Sequence, residues 1–271
     1  MSNTPVLEYV PAEHWELGVA EALLPYVPAD LSGAVLVAPA GVGVFARLLA
    51  THLTRARRFM VVDPNSERLD DVREALGDLS CQAFYAHNRL SEMQYASGVF
   101  EAAFCLLGPL DGARFRNRAA DFATMVEAGG VVGMGVIGDR SFSVVEQLLR
   151  EEAFAAHPHL ADELDDYLAR RLRSEDVPEA LASLGLEVQA CETIEVRVAA
   201  SPETLLTDHI VAAGLAPFLG RLDQSLWEGT ALRLRTYFAD QRIEDRIELH
   251  WFVARVPLLD VDESDVLGET D

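Results

Sequence analysis

The sequence predicts a doubly wound α/β domain on a mostly parallel sheet of seven strands, with an antiparallel edge strand and helical insertions. Three observations lead there. From Ala34 to about residue 138, five short apolar runs alternate with helix-period segments, the order that builds a parallel sheet covered by helices on its faces. Two longer strand-like stretches follow late in the chain with no short parallel crossover between them, which makes them a closing pair at the sheet edge, one of them antiparallel. Finally, 271 residues of which 50% are hydrophobic are enough to fill one sizeable core.

In order along the chain, residues 1–30 form an amino-terminal segment. Its stretch "VLEYVPAEHWELGVAEALLPYV" sets Trp15, Val19, Ala22 and Leu23 at helical spacing, an amphipathic helix suited to pack beside or over a ligand crevice. The five runs "AVLVA", "RFMVVD", "CQAFYA", "EAAFCLL" and "VVGMGVI" are the core strands, short and mostly apolar, as strands covered by helices on both faces are. Residues 138–185 are a charged helical insertion in which Leu160, Leu164, Leu168 and Leu172 step every fourth residue, a packing face. "LEVQACETIEVRVA" and "RIEDRIELHWFVARV" are the late strands, and residues 199–240 between them are a second helical insertion. Residues 1–257 thus make one domain, and 258–271 an acidic tail without chemistry of its own.

Composition narrows the function. The formal charge of -22 repels phosphate backbones and anionic lipid surfaces, so neither nucleic acid nor membrane is an expected partner. Every basic side chain is arginine, which excludes Schiff-base and P-loop lysine chemistry. Cys81, Cys105 and Cys191 are odd in number and far apart, so no disulfide framework and no zinc site is signalled. With no signal peptide and no apolar run of membrane-spanning length, the expected location is the cytoplasm.

The chemistry centres on "GAVLVAPAGVGVFARLL". Gly41, Gly43 and Ala46 fit G-x-G-x-x-A after a strand and at the start of a helix, and Asp63 closes the next strand. Glycines there let the backbone approach a ligand, and a carboxylate at the tip of the second strand accepts hydrogen bonds from ribose hydroxyls. The pattern describes an adenosine-type site. The alternative is a tight βα turn with Asp63 merely capping the helix that starts near Ser66.

The order of elements resembles the class I S-adenosylmethionine-dependent methyltransferases from about Leu31 to Pro257. "VLVAPAGVG" stands where that family has V-L-D-x-G-x-G-x-G, and "VVDPNSERLDDVREAL" looks like its second strand and helix. "SGVFEAAFCLLGPL" resembles its fourth strand, "FATMVEAGGVVGMGV" its glycine pair and fifth strand, and "LASLGLEVQACE" and "ELHWFVARV" its last two. The resemblance implies a Rossmann-like methyltransferase fold, transfer of a methyl group, and S-adenosylmethionine held by Ala38, Pro39, Ala40, Gly41 and Gly43, by Asp63, Pro64 and Asn65, by Asn88 and Arg89, and by Leu106.

Two departures bear on the cofactor. Val37 stands where the family's first motif has an acidic residue, removing a partner for the cofactor's ammonium group. Pro39 replaces the first glycine, fixing φ and deleting one backbone donor. Asn88 can still accept a hydrogen bond through its amide oxygen where the family often has a carboxylate facing adenine, whereas Arg89 cannot. A working enzyme with variant contacts and a methyltransferase fold turned binding or assembly subunit both remain open.

"LLGPL" after the fourth strand lacks the Asn/Asp-Pro-Pro-aromatic pattern of enzymes that methylate planar amino groups, so a small molecule is the expected acceptor. By analogy with such folds, Tyr9, Trp15, His157, Trp227 and Tyr237 line its pocket, with His14 and His159 beside them. His14 and His157 are candidate general bases. The His157–His159 pair is only a partial ligand set, so no metal is expected. His250, in mid-strand beside Trp251, is taken as a satisfied sheet histidine. A homodimer stays open as an assembly.

Overall fold

The computed structural model describes residues 6–10, 17, 20, 21, 23–41, 43–56, 58–79, 81–106, 112–154, 157–200, 225, 228, 229, 232, 235, 236 and 243–258. Eight strands form one sheet: β1 (Val6–Val10), β2 (Ala34–Val37), β3 (Arg58–Asp63), β4 (Gln82–His87), β5 (Phe100–Leu106), β6 (Val126–Ile137), β7 (Glu187–Ala200) and β8 (Ile243–Arg255). They lie in the order β1-β7-β8-β6-β5-β2-β3-β4. Among the described strands only β8 runs antiparallel, paired on one side with β6 and on the other with β7. The seven strands expected from the sequence are all present. The eighth, β1, adds parallel to β7 at the outer edge, with Val6 opposite Glu195.

The helices are α1 (Val44–His52), α2 (Ser66–Leu76), α3 (Gly112–Met125), α4 (Ser143–Leu148), α5 (Pro158–Leu168) and α6 (Val177–Ala182). Because strand side chains alternate between faces, the apolar runs feed two cores at once. On one face Val35, Val37, Phe104, Val131 and Trp251 pack with Phe45 and Leu49 of α1 and Val72 of α2. On the other, Leu36, Ala103, Cys105, Val132 and Phe252 pack with Phe115 and Phe122 of α3 and Leu181 of α6.

Of the leucine ladder of the first insertion, Leu160 and Leu164 of α5 are buried in the first core with Leu168 partly buried beside them. The helix ends at Leu168, however, and Leu172 packs into the second core, so the four do not form one helical face. In the amino-terminal segment, Ala20 and Leu23 lie fully inside the first core, and the His52 ring bonds the Val27 carbonyl at 3.0 Å. Most of the second insertion falls outside the described residues.

Candidate functional site

In a doubly wound sheet, ligands bind at the carboxyl ends of the strands, where the loop after β2 leads into α1. Here the backbone turns sharply. The Ala38–Pro39 peptide is cis, Gly41 has φ 61° and Gly43 φ 90°, left-handed conformations that favour glycine. Space also fixes Gly43: a Cβ there would stand 3.0 Å from Val72 Cα and 3.2 Å from Val72 Cγ2. That glycine therefore lets α1 and α2 approach each other.

Asp63 ties this turn to the tip of β3. One carboxylate oxygen accepts from Ala40 N at 3.1 Å and the other from Asn65 N at 2.8 Å. The cap on α2 belongs to Asn65 and not to Asp63: Asn65 Oδ1 accepts from Glu67 N at 2.8 Å and Arg68 N at 3.4 Å. The end of β4 joins in, since Asn88 N donates to the Asp63 carbonyl at 3.2 Å and His87 Nε2 to the Pro64 carbonyl at 2.9 Å. The carboxylate, the glycine turn and the end of β4 are thus one hydrogen-bonded unit.

Exposure divides the expected cofactor residues. Ala38, Ala40, Gly43 and Asp63 are buried, Asp63 to 0% exposed. Pro39, Gly41 and Leu106 are half-buried, and Pro64, Asn65, Asn88 and Arg89 are exposed. An ionised carboxyl offers about four acceptor positions, and two are taken by backbone. The adenosine half of the cofactor therefore finds suitable chemistry in Asp63 and Asn88, but reaches Asp63 only by displacing what covers it.

The methionine half fits less well. Val37 is fully buried among apolar side chains. Beneath the first turn of α1, Trp251 meets Phe45 edge-on at 5.8 Å and stacks on Phe104 at 6.4 Å. Gly133 makes room for this stack, since a Cβ there would lie 2.5 Å from Phe104 and 2.9 Å from Trp251.

The residues expected to line an acceptor pocket are scattered. His157 and His159 are both exposed, with rings 6.0 Å apart at the start of α5. Tyr9 belongs to β1. His14, Trp15, Trp227 and Tyr237 lie outside the described residues.

Sequence reasoning missed a polar cluster at the end of β6. Asp139, Glu248 and His250 bring three donor atoms within 4.8 Å of one another. His250 Nε2 stands 3.0 Å from Glu248 Oε1, and Nδ1 stands 3.0 Å from Thr193 Oγ1. Burial pushes the His250 imidazole below its usual range, against the opposing pull of Glu248 and Asp139. The histidine and Glu248 were visible as "ELHW", but nothing local signalled the strand pairing that delivers Asp139 to them.

A cavity of about 690 Å³ lies elsewhere, lined by Ser32, Thr51, Thr54, Arg55, Cys81 and Gln82. It opens where β2, β3 and β4 begin, opposite the end at which such folds bind ligands. We assign it no part in the chemistry.

No family model and no curated protein matches the sequence. Solved structures do. A Bacillus halodurans C-125 protein assigned as a methyltransferase is 14% identical with a TM-score of 0.55, over 90% of this chain and 99% of that one. SpnF, a [4+2]-cyclase, is 14% identical with a TM-score of 0.53, over 89% and 81%. The YcgJ protein from Bacillus subtilis is 11% identical with a TM-score of 0.53, over 90% and 99%. The chain has the fold of the class I S-adenosylmethionine-dependent methyltransferases. At such identities the likeness concerns the fold, and one of these neighbours is a cyclase by name, so chemistry has to be argued from the site.

Proposed function

We propose that this protein is a cytoplasmic enzyme that transfers a methyl group from S-adenosylmethionine to a small-molecule acceptor, in the crevice at the carboxyl ends of β2, β3 and β5. The observation that carries this reading is the pair of hydrogen bonds from Ala40 and Asn65 to Asp63, which sets an acidic group against the glycine turn where a ribose is held in this fold. When bound, the cofactor supplies an electrophilic methyl group. The chain's own part is positioning: Asp63 receives ribose hydroxyls, the Asn88 amide meets the adenine edge, and the left-handed Gly41 lets the backbone come close. No general base is required unless the acceptor must lose a proton. Among the described residues no helix is long and apolar enough to cross a membrane, and the charge of -22 favours a small acceptor over nucleic acid.

Titration calorimetry with S-adenosylmethionine and S-adenosylhomocysteine tests the reading. One-to-one binding of either, lost in Asp63→Ala, is the expected outcome. No heat from either up to about 1 mM, an affinity weaker than about -4 kcal/mol, overturns it.

A second reading has its own support. Asp63 is wholly buried with both oxygens engaged, Val37 replaces the acidic residue, and Trp251 fills the space under the turn. These features suit a methyltransferase fold retained as a binding or assembly subunit. On that reading Asp63→Ala lowers stability, yet a folded variant keeps its function in cells.

A further inference from the structure

We propose that Asp139, Glu248 and His250 bind a divalent first-row transition-metal ion, of the Mn2+ or Zn2+ kind, at the carboxyl end of β6. Its donors share no residue with the Asp63 crevice, and the proposal does not depend on the reading given for that crevice.

Sheet register assembles the donors. Val136 pairs with His250 and Ile137 with Leu249, so Asp139, just past the end of β6, reaches the same end of β8. Glu248 and His250 are two residues apart on one strand and so share a face. Their backbone is pinned: Ser141 Oγ donates to the Glu248 carbonyl at 3.1 Å and accepts from Glu248 N at 2.9 Å, and Gly138 N donates to the same carbonyl at 2.6 Å.

The histidine is prepared as a ligand. It is 3% exposed. Nδ1 stands 3.0 Å from Thr193 Oγ1; in the tautomer that donates from Nδ1 to this hydroxyl, the Nε2 lone pair faces the two carboxylates, the form a metal-bound imidazole takes. Nε2 lies 3.0 Å from Glu248 Oε1, yet outside hydrogen-bond geometry and with no other hydrogen-bond partner. Two donors at right angles on an ion with bonds of about 2.1 Å are about 3.0 Å apart. The two atoms therefore have the spacing of neighbouring ligands without the alignment of a donor and its acceptor.

Space for the ion is kept by Gly138. A Cβ at that position would overlap His250 Nε2 and lie 2.9 Å from Glu248 Oε1. Gly138 is not among the glycines with positive φ, so what requires glycine here is room beside the donors.

Two carboxylates and a neutral imidazole carry charge -2, which a bound divalent cation offsets in full. Arg140, the nearby positive group acting on His250, is exposed. One nitrogen and two oxygen donors suit Mn2+, Co2+ or Zn2+ better than Mg2+ or Ca2+, which prefer oxygen alone. Asp139 is exposed, leaving the remaining coordination positions to water or to an oxygen-bearing ligand.

The test uses full-length protein freed of metal by chelator and titrated with Mn2+, followed by electron paramagnetic resonance. A salt concentration of about 0.5 M suppresses diffuse binding to the acidic surface. The expected result is one tight equivalent with nitrogen hyperfine coupling. Asp139→Asn and Glu248→Gln should each raise Kd at least about tenfold, while Glu151→Gln, at an exposed carboxylate elsewhere, leaves it unchanged. His250→Gln should abolish the nitrogen coupling; if that variant does not fold, Asp139→Asn, a surface change, decides. Absence of nitrogen coupling in the wild type, or an unchanged Kd in both carboxylate variants, overturns the proposal.

Discussion

At the scale of the residue, Asp63 shows how one side chain can be legible in place and illegible in use. Its spacing from Gly43 and its position closing an apolar run identify it from sequence. That both its oxygens are taken by Ala40 and Asn65 follows from the path of the turn, which no local pattern encodes. Asp63→Asn keeps one acceptor and turns an amide donor toward the other backbone N–H, so a buried donor loses its partner. We expect a loss of about 1–3 kcal/mol in urea unfolding, with no change in the slope of the transition. His250 failed differently: a lone histidine in a strand is usually satisfied by its sheet, and its partner Asp139 comes from a segment to which Ser141 ties Glu248 across 107 residues.

At the scale of the element, the strands were almost fully readable. "RFMVVD" is β3 residue for residue, and the other six runs match β2 and β4 to β8 within a few residues. β2, β3, β5 and β6 are covered on both faces over most of their length and carry nearly continuous apolar runs, whereas β8 begins with alternating buried and exposed residues. β1 was not readable, since five residues at an edge carry little pattern. Among the helices, α4 is tied to the segment after α5 by an ion pair the sequence could not announce. Arg171 Nη1 stands 2.6 Å from Glu146 Oε1, with side chains 4% and 11% exposed. Burial raises the Glu146 carboxyl above its usual range, and Arg171 pulls it back down. Arg171→Met therefore leaves a buried charge alone, with an expected cost of about 3–5 kcal/mol near neutral pH. Because the raised carboxyl is destabilising while ionised, its penalty falls as pH drops through that raised value and Glu146 takes up a proton. The stability difference between variant and wild type, measured by urea unfolding from pH 8 to pH 5, should shrink toward acid. A difference that is constant or grows would remove Glu146 as the cause.

For the whole molecule, charge dominates. With 44 acidic against 22 basic side chains, self-repulsion opposes the compact state. Screening shortens from about 10 Å at 0.1 M salt to about 3 Å at 1 M, so the melting temperature should rise by several degrees between 0.05 and 1 M NaCl. A flat or falling curve would show that local ion pairs outweigh the net field. The order of strands has a further consequence for how the molecule is made. β7 and β1 reach the rest of the sheet only through β8, which follows the other described strands in the chain. Until residues 243–255 have left the ribosome, the nascent chain can close β2 to β6, but β1, made before all of these, must wait for β8, made after them. A stop codon before β8 would thus remove three strands' worth of sheet by deleting one.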